Sequence, residues 1–137
     1  MNLSLTWADV RNYAIALVIF LAIDMVWLLV VAKQLYADKL GYLMAPKANL
    51  VAAFLFYLLF VVGLMVFVVS PALATGSWLQ ALLGGLLFGL VTYATYDLTN
   101  LATVKDWPLL ITVVDLLWGS FVSGATALLS FLVIRLF

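Results

Sequence analysis

Tyr93-Ala94-Thr95-Tyr96-Asp97-Leu98-Thr99-Asn100-Leu101-Ala102-Thr103-Val104-Lys105-Asp106-Trp107-Pro108, followed by an apolar run that carries Asp115 and Trp118, decides the fold. A long apolar segment ends at Asn100, a short polar break runs from Leu101 to Trp107, and a second apolar segment starts at Pro108. Proline suits the first turn of a helix, where its missing N–H does no harm, and tryptophan suits a membrane interface. The stretch therefore reads as two membrane helices turning at one surface. Two carboxylates, Asp97 and Asp115, flank the turn. An ionised carboxylate at the middle of a bilayer costs about 2.5–3.5 kcal/mol even on the lenient insertion scale. Residues that costly are usually kept for a site.

The remaining composition agrees with a membrane chain. Of 137 residues, 69% are hydrophobic, and the mean hydropathy is +1.30. A soluble domain of this size has too little interior to bury that much apolar side chain. Charged residues make up 9%, against about 25% in ordinary globular chains. The net charge is zero, so there is no basic footprint for nucleic acid. Cys and His are both absent, which excludes thiol chemistry, disulfides, and zinc or haem sites built on those ligands. No cofactor and no metal site is expected. The expected fold is all-α: one domain, residues 1–137, a polytopic bundle of four transmembrane helices.

Outward from the hairpin, four spans are expected at about 12–32, 49–69, 79–100 and 108–134, each long enough to cross ~30 Å of hydrocarbon. Met1 to Arg11 forms a short polar start. The first span is too long for a secretory signal core and lacks a small-residue cleavage site, so an uncleaved helix is expected. At 100° per residue, Tyr13, Phe20, Asp24 and Trp27 share one of its faces, which should point into the bundle. Lys33 to Lys47 is the long polar connection, read either as an interfacial amphipathic helix or as an irregular loop. The second span is rich in Phe and reads as a shielding wall, with Tyr57 reaching the interior. Ser70 and Pro71 are expected to close it. In the third span Gly85 and Gly89 form a small-xxx-small packing pattern, and the same side continues into Tyr93, Asp97 and Asn100. The fourth places Ile111, Asp115, Trp118, Val122 and Thr126 on one side. Lys33, Lys39, Lys47 and Lys105 lie in the first and third connections. By the positive-inside bias both termini then face outward, to the periplasm.

Counting along the helices at 1.5 Å per residue puts Asp24, Asp97 and Asp115 roughly 10–14 Å in from the same membrane face. Tyr93, Tyr96, Asn100, Trp27 and Trp118 lie within about a turn of one or another and supply hydrogen-bond donors. No Lys or Arg is deep enough to pair with the acids, so at least one Asp is expected to hold its proton at neutral pH. Protonated Asp can also act as interhelical glue, such bonds averaging only ~0.6 kcal/mol. Three at one level favour a ligand- or proton-binding site over glue. Asp-x-x-Trp occurs twice, at Asp24–Trp27 and Asp115–Trp118, in helices expected to run antiparallel.

Tyr96 to Thr103 (Tyr-Asp-Leu-Thr-Asn-Leu-Ala-Thr), with Lys105, Trp107-Pro108, Asp115-x-x-Trp118-Gly119 and Asp24-x-x-Trp27, resembles a family of small bacterial membrane proteins, domain of unknown function 2177. The resemblance covers nearly the whole chain. It implies the four-span plan and a bacterial inner membrane, and no activity. Superficially the chain is also similar to small multidrug exporters, from which it departs by using three Asp where they rely on one Glu. Two classes of function follow from the residues. One is binding or movement of a small amphiphile or cation, coupled to Asp protonation. The other is an intramembrane enzyme acting on a lipid by Asp general acid/base chemistry. An assembly role in a membrane complex is a third. The partners expected are the lipid bilayer and a small amphiphile, lipid or cation, and a homodimer is left open.

Overall fold

The computed structural model describes residues 4–137, so residues 1–3 of the expected polar start lie outside the described residues. The regular structure of the described residues is helical, without strands. Four helices are long and apolar enough to cross a membrane: α1 (Trp7–Val31), α3 (Leu50–Thr75), α4 (Trp78–Thr103) and α5 (Leu109–Ile134). Between the first two lies the short α2 (Lys33–Leu40). The protein is an all-α polytopic membrane protein.

Local chemistry sets the helix ends. α1 starts at Trp7 because Thr6 caps it. The Thr6 hydroxyl accepts from the Asp9 N–H (3.2 Å), and the Asp9 carboxylate accepts from the Thr6 N–H (2.9 Å). This reciprocal cap draws Asp9 and Arg11 into the helix rather than leaving them in a polar lead. α3 does not close at Ser70-Pro71 as expected, but runs on to Thr75. Residues Met65–Val69 form a wider π turn, in which the Ser70 N–H donates to the Met65 carbonyl. A π turn loosens the ladder where a proline ring would otherwise collide with the turn before it. The helix ends instead at Gly76, whose left-handed φ of 72° costs glycine little. A second π turn, Trp27–Val31, ends α1.

α5 is the central helix, packing on α1, on α3 and most extensively on α4. Where α4 meets α5 the backbones nearly touch. A methyl at Gly89 would collide with the Gly119 carbonyl and the Ser123 hydroxyl, and one at Gly85 with Gly124 and Ala127. This is the small-residue contact that drives helix association in lipid. The apolar core (Phe20, Phe60, Val61, Leu64, Val122 and their neighbours) fills the space between α1, α3 and α5. Asp24, Asp97 and Asp115 are buried, beneath the end that carries α2 and the α4–α5 turn.

Candidate functional site

The two Asp-x-x-Trp motifs meet within one chain and serve each other. On α1, Asp24 accepts from the Trp118 indole N–H (3.1 Å) and from the Tyr57 hydroxyl of α3 (2.7 Å). On α5, Asp115 accepts from the Tyr36 hydroxyl of α2, and Tyr36 in turn accepts from the Trp27 indole N–H (3.1 Å). Each tryptophan thus supports the other motif's aspartate, Trp118 directly and Trp27 through a phenol. The two indoles stack with centroids 4.3 Å apart and planes 7° from parallel. Antiparallel helices with the same i, i+3 spacing produce this crossing, since each Trp lies one turn from its own Asp and opposite the other's.

Asp97 is in a different condition. It is fully buried on α4, and among the described residues neither of its oxygens accepts a hydrogen bond of normal geometry. The ionisable group next to it is the Asp115 carboxyl, with which it interacts without a hydrogen bond of normal geometry. Further charge neighbours of the pair are Asp24 and the Tyr36 phenol, so none of these is basic. Tyr36 lies outside the spans, and burial pushes its phenol up, helped by its hydrogen bond to Asp115. It therefore stays protonated through the neutral range and remains a donor to Asp115.

Beside Asp115 is a cavity of about 310 Å³ lined by Phe56, Phe60, Thr92, Tyr93, Tyr96 and Asp115. Four of its six lining side chains are aromatic, and one is a carboxylate. Below it Phe60 packs on Phe88 (centroids 5.3 Å) and on Tyr93 (6.2 Å), closing the floor toward the bundle core. At the end that carries α2, Trp107 packs edge-on against Tyr96 (5.7 Å) and donates to the buried Thr112 hydroxyl (3.1 Å). Tyr42 donates to the carbonyl of Asp106 (2.7 Å), tying the connection after α2 to the α4–α5 turn. Asp106 itself sits in the left-handed region, with φ 61°.

Of the residues singled out from sequence, the structure gathers Asp24, Trp27, Asp115 and Trp118 into one hydrogen-bonded and stacked group, with Asp97 beside Asp115. Tyr93 and Tyr96 line the cavity instead of bonding an aspartate. Asn100 is half-buried and joins neither group. Among the described residues no set of three or more acids converges in a way that could hold a metal ion. Sequence reasoning missed Tyr36, which was read as part of the connection, and the lining role of Phe56, Phe60 and Thr92. A signal for Tyr36 was present. Leu35, Tyr36 and Leu40 recur at helical spacing among Lys33, Asp38 and Lys39, and they form the half-buried face of α2.

A family model described as predicted membrane protein, domain of unknown function 2177, matches residues 10–132. No curated protein and no solved structure matches the chain.

Proposed function

The chain belongs to this family of predicted membrane proteins, and we propose that it binds a small amphiphilic cation at Asp115, in exchange for a proton held between Asp97 and Asp115. The cavity carries the reading, because aromatic faces around a single carboxylate match an organic ammonium group. Such rings attract a cation by about 0.5–2 kcal/mol each, more as water is excluded. Two carboxyls side by side with no basic partner do not both ionise in a medium of low dielectric. A cation at Asp115 supplies the positive charge that the pair lacks, so it takes the place of the shared proton and both carboxyls ionise beside it. The titratable groups facing the pair are Tyr36 from α2, Asp24 from α1, and Tyr93 and Tyr96 from α4, with Tyr57 from α3 on Asp24. Since binding releases a proton, affinity rises with pH, by up to about tenfold per unit for one proton.

The Lys-bearing connections support an inner-membrane orientation with α2 and the α4–α5 turn in the cytoplasm and the termini periplasmic. The cavity then belongs to the cytoplasmic leaflet. Titrating dodecyldimethylamine into the purified protein in phosphatidylcholine nanodiscs, read by tryptophan fluorescence, tests the reading. Saturable binding that strengthens with pH is expected, weakened at least tenfold by Asp115→Asn, with the pH dependence lost in Asp97→Asn. Equal binding by the Asp115→Asn protein would end it.

The contrast between the two carboxyls favours one other reading. Asp115 has a phenol donor and among the described residues Asp97 has none, and such contrast separates a general acid from a base. An enzyme acting on a lipid would use it. Comparing the lipids of cells with and without the protein checks this, and unchanged lipids speak for binding alone.

A further inference from the structure

The cavity has a mouth, and the mouth faces lipid. Phe56 and Tyr96 line it while remaining 47% and 57% exposed, on α3 and α4 respectively. Phe56 lies six residues into α3 and Tyr96 seven residues before the end of α4, so the mouth opens roughly 9–11 Å below the end that carries α2. That depth is within the hydrocarbon of one leaflet. The watery end is occupied by Tyr36 on Asp115, by Trp107 against Tyr96, and by Tyr42 on the α4–α5 turn. Toward the other face the floor is Phe60, Phe88 and Tyr93, above the close α4–α5 contact at Gly89.

Resting on the binding reading above, we infer that the ligand is a lipophilic amine that enters sideways from the bilayer in its neutral form and takes its proton inside the cavity. An ammonium ion that came through the acyl region alone would carry an unpaired charge where charge is most costly. A neutral amine does not. At the cavity wall the O–H bond of the Asp97–Asp115 pair breaks, and the amine lone pair takes that proton to form an N–H bond. One neutral acid and one neutral base become a carboxylate and an ammonium already in contact. The proton comes from the pair, and no other reactant is needed. Asp97 shares that proton beforehand: it is buried, among the described residues no group donates to it, and its ionisable neighbour is Asp115. The alkyl tail then lies out between Phe56 and Tyr96, in lipid. A permanently charged head can neither arrive neutral nor accept the proton.

The same nanodiscs test this by pairing dodecyldimethylamine with dodecyltrimethylammonium, association rates being referred to the membrane-bound concentration and to the part lost in Asp115→Asn. The tertiary amine should associate at least tenfold faster than the quaternary ion. In a second arm, Phe56→Cys with Tyr96→Cys closed by a short thiol cross-linker should slow association of the amine at least tenfold, and reduction of a cleavable linker should restore it. Asp115-dependent association of both ligands at equal rates would overturn the amine inference while leaving the cation site intact. Unchanged association with the mouth closed would overturn lateral entry. Absence of Asp115-dependent binding for either ligand would remove the binding reading itself.

Discussion

Tyr36 is the residue on which the candidate site turns, since it joins Trp27 to Asp115 and is the donor to that carboxyl from outside the spans. Tyr36→Phe leaves the Asp115 oxygen without its donor and the Trp27 indole without its acceptor. Leaving a buried polar group unpaired costs about 1–3 kcal/mol in water-soluble proteins, and interhelical polar bonds in membranes average ~0.6 kcal/mol. A stability loss of about 1 kcal/mol is therefore expected, measured by chemical unfolding in detergent, with a shifted Trp27 fluorescence. Stability and emission both unchanged would show that the phenol bridge is not formed. The aspartates were legible in the sequence because a carboxylate in an apolar run is an exception that needs no structure to be noticed. Tyr36 was not, because a tyrosine in a polar connection is ordinary and its partner lies 79 positions away. Asn100 was legible only as a polar residue on the right helix. A position one turn nearer the membrane surface than Asp97 proved enough to leave it out.

At the scale of elements, the α4–α5 hairpin holds Asp97 beside Asp115, and Gly89 sets its spacing. A methyl there meets backbone, the Gly119 carbonyl, whereas a methyl at Gly63 meets only the tip of the Phe88 ring at 3.0 Å. A ring tip can yield and a carbonyl in a helix cannot. Gly89→Ala should cost about 1–3 kcal/mol, the range for overpacking, and Gly63→Ala distinctly less, both read by unfolding in detergent. Equal stability of the two variants would contradict the close contact. The four-residue spacing of Gly85 and Gly89 made this seam readable in advance, because period alone identifies a helix face. The end of α3 was not readable in the same way. Ser70-Pro71 carries an ordinary stop signal, and it is the π turn at Met65–Val69 that lets the helix pass through it. α2 stood between two readings because Gly41 and Pro46 interrupt its neighbourhood, and the structure places its end at Leu40, just before them.

For the whole molecule, hydropathy was enough to give four spans, while the repeated Asp-x-x-Trp motif implied antiparallel helices without saying that their faces meet. Which side of the membrane carries the site depends on the lysines. Reporter fusions after Gly76 and after Lys105 should report opposite compartments, periplasmic at Gly76 and cytoplasmic at Lys105. The same compartment at both would contradict four spans, and the reverse pattern would move the cavity to the outer leaflet. In the proposed function the aromatic-walled cavity at Asp115 holds the head of an amphiphilic amine. Photolabelling tests it most directly, using a dodecylamine with a diazirine next to its nitrogen, followed by peptide mass spectrometry. Label is expected on the α3 and α4 segments that contain Phe56, Phe60, Thr92, Tyr93 and Tyr96, competed away by unlabelled amine and absent in Asp115→Asn. Label confined to the outer groove of Val114, Leu117 and Phe121, or label on the cavity that persists undiminished in Asp115→Asn, would contradict it.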